Sequence, residues 1–298
     1  MIGWQRAIVE VRWAKALPGV ARKAVIEPGG TLRVGRSERA DLAVPDDRTM
    51  SGLHCEIRWD GERCVVADRA SQEGTWLDGE RVEEGEVKNG AWIRAGGTVL
   101  SVYLEGATPP RRESGLRGDG TDRPGPQQEA ALAALWDEPD PLFAVLDAAR
   151  DPRVLEVTRE SVETYRSLYE GIQGEALSVW APHLVRLPRG ARLLEQLVLE
   201  GWGRRWGIYL TSPRPFDEVR TQLRRSLMVG NDASGKPMYF RFYDPQILRL
   251  VLPTCSVRQR AQIFGEISGF VIEGRHGEVL RLARDGAPST SPTPEPAS

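Results

Sequence analysis

Three short stretches, Gly35-Arg36-Ser37, Ser51-Gly52-Leu53-His54 and Ser71-Gln72-Glu73-Gly74-Thr75, bring together an arginine, several hydroxyls and a histidine. An arginine offers a planar fork of donors and hydroxyls add short hydrogen bonds. Such a set suits a phosphate ester, which carries about −1.5 to −2 charges near neutral pH. The three stretches can meet at one phosphate only if a sheet presents them at one edge.

The surrounding residues supply such a sheet. Val9 to Trp13, Lys23 to Ile26, Thr31 to Val34, Asp41 to Val44, Cys55 to Trp59, Cys64 to Ala67, Thr75 to Leu77 and Thr98 to Tyr103 read as strands. Pro28-Gly29-Gly30, Asp60-Gly61, Asp78-Gly79, Asn89-Gly90 and Gly96-Gly97 supply the turns. Short strands at this spacing predict an all-β sandwich from the start of the chain to about Glu105.

The order of these motifs resembles the phosphopeptide face of a forkhead-associated domain. By that resemblance Arg36, Ser51 and the Gln72 and Glu73 positions form the phosphopeptide site, and His54, Gly35 and Gly74 brace its loops. The family often carries an asparagine after the serine and another before Gly-Thr, where this chain has Gly52 and Glu73. Two lost amide contacts cost ~1 kcal/mol each, and the Glu73 carboxylate adds ~1 kcal/mol of repulsion. The sum, ~3 kcal/mol, is roughly a hundredfold in affinity. The expectation is weak phosphothreonine recognition, with a phosphate-independent docking surface as the alternative.

Length and composition suit two modest domains in 298 residues. The 40 basic residues are matched by 42 acidic ones, with no stripe of lysine and arginine, so no nucleic-acid partner is expected. Cys55, Cys64 and Cys255 make neither a disulfide framework nor a metal-ligand spacing, which suits a reducing cytoplasm. Arg6, Glu10, Arg12 and Lys15 interrupt the first residues, so neither a signal peptide nor a membrane helix is expected there.

From Gly106 to Pro126 proline, glycine, arginine and acidic residues replace the apolar runs, as in a linker. Gln127 to Glu138 reads as a short helix within that linker, taken as residues 106–140, and the residues from 286 to 298 read as a disordered tail.

Residues 141–285 alternate apolar runs with helical patterns. Phe143 to Asp147, His183 to Leu187, Trp206 to Leu210 and Met238 to Tyr243 read as strands. Ala191 to Leu199, Phe216 to Met228 and Pro245 to Leu252 read as helices, and helical spacing also runs from Ala148 through Leu168-Tyr169. The pattern predicts an α/β domain with a helix-covered sheet, so the fold class is multidomain, an all-β sandwich followed by α/β. Strand order is not legible.

Leu146-Asp147-Ala148-Ala149, Ser167-Leu168-Tyr169, Ala181-Pro182-His183-Leu184-Val185, Trp206-Gly207 and Arg241-Phe242-Tyr243-Asp244-Pro245 follow the order of one bacterial family. In them the second domain resembles the type VI secretion effector-adaptor, or chaperone, family, first catalogued as a domain of unknown function. The resemblance implies a non-enzymatic protein that holds an effector and helps load it onto the valine-glycine repeat spike protein. A phosphothreonine-dependent signalling scaffold is the alternative.

Asp147, Arg241 and Asp244 could meet at the top of a sheet, where α/β enzymes place their chemistry, but an Arg241–Asp244 pair reads first as a structural clamp. His183 and His276 have no neighbouring cysteine or repeated carboxylate, so no metal is expected. The chain has no Gly-x-Ser-x-Gly elbow, phosphate loop or dinucleotide fingerprint, so neither cofactor nor turnover is expected. Among the aromatics, Trp206 reads as core, whereas Trp202, between two glycines, is the candidate effector contact.

Overall fold

A computed structural model describes residues 6–13, 23–109, 124–138, 141–170, 177–230, 237–284 and 288–290. The chain divides into two compact units, Met1–Pro109 with Arg159–Val162, and Pro110–Thr158 with Glu163–Ser298. The expectations for residues 110–123 and 291–298 lie outside the described residues.

The first unit is a sandwich of β1 (Ala7–Trp13), β2 (Lys23–Ile26), β3 (Gly30–Gly35), β4 (Leu42–Ala43), β5 (Cys55–Trp59), β6 (Cys64–Asp68), β7 (Thr75–Leu77), β8 (Glu80–Val82), β9 (Glu84–Val87), β10 (Trp92–Ala95) and β11 (Thr98–Leu104). One sheet has the order β2-β1-β11-β10-β7-β8 and the other β4-β3-β5-β6-β9. Every pairing is antiparallel except β3 with β4. Side chains alternate across each sheet, so Leu32 and Val34 of β3 turn inward while Thr31 and Arg33 face solvent. Val9, Ile57, Trp59, Val66, Ile93 and Val102 fill the space between the sheets.

The second unit comprises α1 (Pro126–Trp136), β12 (Leu142–Asp147), α2 (Pro152–Arg159), β13 (Tyr165–Ser167), β14 (Pro182–Leu187), α3 (Arg192–Gly201), β15 (Gly207–Thr211), α4 (Phe216–Ser226), β16 (Met228–Gly230), β17 (Pro237–Tyr239), α5 (Pro245–Val251), α6 (Val257–Phe264), β18 (Gly269–Glu273), β19 (Val279–Ala283) and β20 (Pro288–Thr290). Its main sheet has the order β13-β14-β12-β15-β18-β19-β20, and β16 and β17 form a separate ribbon. All of these pairings are antiparallel. Helices cover both faces. Leu142, Ala144 and Leu146 turn towards α1, α2 and α3, while Phe143 and Val145 turn towards α4, α5 and α6. This two-sided burial is why β12 reads as a continuous apolar run rather than an alternating one.

The structure corrects several expectations. Helix α1 is part of the second unit's core: Ala131, Leu132, Ala134 and Leu135 are buried against it, so only the residues before the helix can serve as a linker. Pro288–Thr290 pairs with β19 instead of starting a disordered tail, because β19 offers an open sheet edge. The helical spacing through Leu168 breaks after α2, where Tyr165–Ser167 pairs with β14. The strand expected from Met238 to Tyr243 ends at Tyr239, so Arg241 lies outside it. Strands β8, β9 and β10 were not legible, since their charged residues mask the period.

Candidate functional site

The three chemistry-bearing stretches meet at one end of the sandwich, where β3 ends and β5 and β7 begin. Main-chain bonds lock two of them together: Arg36 N–H donates to Ser51 O at 3.0 Å and Ser37 N–H to Gly52 O at 3.0 Å. Gly35 makes this approach possible, because a Cβ there would collide with Gly52 O. His54 is fully buried and joins the third stretch. Its Nδ1 accepts from Ser51 N–H at 3.2 Å, which places the ring proton on Nε2, and Nε2 then donates to Gly74 O at 3.2 Å. Through these contacts Gly35, His54 and Gly74 join the three stretches.

The hydroxyls divide the work differently from the expectation. Ser51 Oγ accepts from Gln72 N–H at 3.0 Å, so it holds the third loop while its own O–H remains available to a ligand. Ser71 and Thr75 donate to Asp68 Oδ1 at 2.5 and 2.6 Å and face inward. Burial pushes the Asp68 carboxyl up, but the Ser71 and Thr75 hydroxyls and the Ser71 N–H outweigh it, and the group ends below the ordinary carboxylate range. Asp47 braces the second loop in the same way, against Thr49, Gly97 and Thr98. Sequence reasoning missed both aspartates, although an Asp followed three residues later by a serine is a local turn signal.

What remains exposed is cationic. Arg36 spends only its Nε, on Met50 O at 3.3 Å. Among the described residues Arg36, Arg39, Arg48 and Arg81 make no ion pair. Several other arginines of this unit are engaged: Arg6 with Glu105, Arg33 with Asp41, Arg58 with Glu84 and Arg69 with Glu56. Gln72 and Glu73 are exposed on the third loop, and Glu73 uses only its carbonyl, towards Trp76 Nε1 at 3.4 Å. The loop end can therefore receive an anion on a pre-braced main chain.

The second unit's polar residues are arranged otherwise. Arg241 and Asp244 do not pair with each other through their side chains. Arg241 binds the buried Asp147, with Nε at 3.1 Å from Oδ2, and Asp244 binds Arg205, with Nε at 3.2 Å from Oδ1. The chain direction explains the exchange: Asp244 turns away to cap α5, accepting from Gln246 N–H at 2.9 Å. Burial lowers the Arg241 pKa, but the hydrogen bond and charge of Asp147 more than offset it, so it ends raised. The expected Arg241–Asp244 clamp is therefore replaced by two ion pairs with other partners.

Trp202 is not an exposed contact. It is 9% exposed, its Nε1 donates to Gly277 O at 2.8 Å, and its ring stacks on Tyr209 with centroids 6.1 Å apart. The flanking glycines serve the turn, and the indole turns into the core. The exposed aromatic of this region is Trp180, at 59%, on the turn Ser178–Trp180 with Leu177 and Val179 also exposed. Among the described residues no group of three His, Cys, Asp or Glu could hold a metal ion.

Family models match both units. One, the FHA domain, covers residues 32–96, and the other, a domain of unknown function (DUF4123), covers residues 142–262. The chain carries a forkhead-associated domain followed by a DUF4123 domain.

Among curated proteins, the chain is 33% identical over 86 residues to the FHA domain-containing protein FhaA of Mycobacterium tuberculosis, which covers 29% of this chain and 16% of that protein. It is 32% identical over 183 residues to a tRNA dimethylallyltransferase of Erythrobacter litoralis, 59% of this chain and 52% of that one. The chain thus spans about half the length of the transferase it matches and a small part of FhaA. A solved structure described as an analysis of phosphothreonine-dependent FHA domain interactions is 27% identical, at a TM-score of 0.30, covering 36% of this chain and 99% of that one. The FhaA FHA domain complexed with the intracellular domain of Rv3910 is 28% identical, at a TM-score of 0.29, covering 32% and 98%.

Proposed function

We propose that this protein is a non-enzymatic type VI secretion adaptor. Its DUF4123 domain holds an effector in the cytoplasm and helps load it onto the valine-glycine repeat spike protein, while the forkhead-associated domain docks a phosphothreonine protein. The observation that carries the second half is the braced loop end, where Arg36 and the Ser51 hydroxyl stand free beside a main chain already held by His54. A phosphothreonine presents a dianion and three acceptor oxygens to such donors. Among the described residues no helix is long and apolar enough to cross a membrane.

In the DUF4123 domain the exposed turn Leu177, Val179 and Trp180 supports a partner contact, since aromatic side chains dominate interface energetics. Trp180 takes the effector-contact role from the buried Trp202. The test is co-purification from the native cytoplasm: the parent chain should bring down an effector and the spike protein, and Trp180→Ala should lose the effector while melting normally. A parent chain that captures neither overturns the adaptor reading. Calorimetry with phosphorylated and unphosphorylated threonine peptides tests the docking half separately.

A further inference from the structure

Beside the loop that carries Gln72 and Glu73, one outward row of side chains crosses the sheet edge. Trp76 of β7 lies opposite Arg81 of β8 on one side and opposite Arg94 of β10 on the other. Residues directly opposite in a ladder share a face, so the row reads Arg81, Trp76, Arg94. Arg94 stands over the Trp76 ring at 4.5 Å from its centroid, which fixes one guanidinium in place. Arg81 reaches the loop itself: a Cβ on Gly74 would collide with its Nε, so the guanidinium lies directly against the Gly74 main chain. Gly74 also has φ of +76°, so this position suits glycine twice over.

Neither guanidinium is neutralised. Among the described residues Arg81 and Arg94 form no ion pair, and Arg81 is exposed. Two unpaired cations around an indole, touching the third loop of the anion site, make a surface whose complement is a carboxylate.

We propose that the Arg81, Trp76 and Arg94 row binds an acidic side chain flanking the phosphothreonine, so that the domain selects phosphothreonine beside Asp or Glu. This rests on the phosphothreonine reading of the loop end. The row supplies the sequence preference, while Arg36 and Ser51 bind the phosphate.

The experiment measures binding of the full chain to phosphothreonine peptides in which aspartate is scanned through the flanking residues of an otherwise alanine peptide. At least one aspartate peptide should bind about tenfold tighter than the all-alanine peptide. Arg81→Gln should erase that gap while the all-alanine peptide still binds. Arg81→Glu should shift the preference to a lysine-flanked peptide, an outcome that a merely structural role for Arg81 cannot produce. If Arg81→Gln melts below the parent, Arg94→Gln repeats the test on the other end of the row. Equal binding of all phosphopeptides by the parent overturns the inference and leaves the phosphate site standing. Binding of none of them overturns the phosphate reading itself, and this inference with it.

Discussion

The loop end of the first unit and the interior of the second treat their arginines in opposite ways. At the loop end of the forkhead-associated domain, Arg36 and Arg81 are exposed and unpaired, and the framework beneath them is made of main-chain bonds, a buried histidine and two hydrogen-bonded aspartates. In the DUF4123 domain, Arg241, Arg205 and Arg153 each face a carboxylate held at low exposure, Asp147, Asp244 and Glu200. A cation left without a partner at a rigid edge is available to a ligand, whereas one held by a buried carboxylate has its charge already answered. The contrast separates recognition chemistry from structural chemistry within one chain.

The largest expected effect lies on the structural side. Trp202→Ala removes a buried indole with a satisfied N–H and should destabilise the second unit by about 3–5 kcal/mol, read by chemical denaturation. A Trp202→Ala chain that melts like the parent would return this residue to the surface role. Asp147→Ala leaves Arg241 without its counter-charge and should cost about 1 kcal/mol of stability, since the freed guanidinium is partly open to water. The same measurement on Arg36→Ala should show almost no loss, since only its Nε bond to Met50 O disappears.

On the recognition side the ranking reverses. Arg36→Ala should weaken phosphothreonine-peptide binding by about 2 kcal/mol, roughly thirtyfold, by calorimetry. Loss of stability without loss of binding would break the contrast between the units. Glu73→Asn should strengthen binding by a smaller amount, about fivefold, by removing a carboxylate from the edge of the site.

The smallest effects should appear in acid and differ in sign. Hydrogen bonds and charge from Arg33 hold Asp41 down at about 2, and Asp47 and Asp68 also lie below the ordinary carboxylate range. A depressed carboxylate contributes stability that is present above its unfolded pKa and lost as pH falls through its folded one. The first unit should therefore loosen as pH falls from about 4 towards 2. Glu273 in the second unit is displaced the other way, since burial pushes it up against the N–H groups of Gly203 and Arg205. Its folded state gains protons more readily, so that group adds stability as pH falls through its folded pKa. Hydrogen exchange resolved by unit should show the first unit losing protection in acid before the second, and the reverse order would contradict this assignment.

Much of the first unit was legible because its strands are half-buried. Period-two alternation and glycine turns mark such strands directly, and β1, β2, β3, β5, β6, β7 and β11 lie where the sequence puts them. The meeting of Arg36, His54, Gly35 and Gly74 at one end of the sandwich was expected from motif order. In the second unit the strands are buried on both faces, so their apolar runs show that they exist but not which neighbours they take. The antiparallel order β13-β14-β12-β15-β18-β19-β20 could not be read from the alternation of strands and helices.

The sequence by itself determined the residue types at the anion site and the two-part organisation, since both depend on composition and on contacts between near neighbours. Only the tertiary structure decided partners. It sent Arg241 to Asp147, 94 positions away in the chain, and turned Asp244 to Arg205 and the start of α5. It buried Trp202 beneath Gly277 and left Trp180 outside, and it laid Arg81 against Gly74. The Arg241–Asp147, Asp244–Arg205 and Trp202–Gly277 contacts are long-range, chosen by chain direction and by the space left between layers. Local spacing cannot encode them: Asp244 is the nearer neighbour of Arg241 in sequence, yet the backbone points it elsewhere.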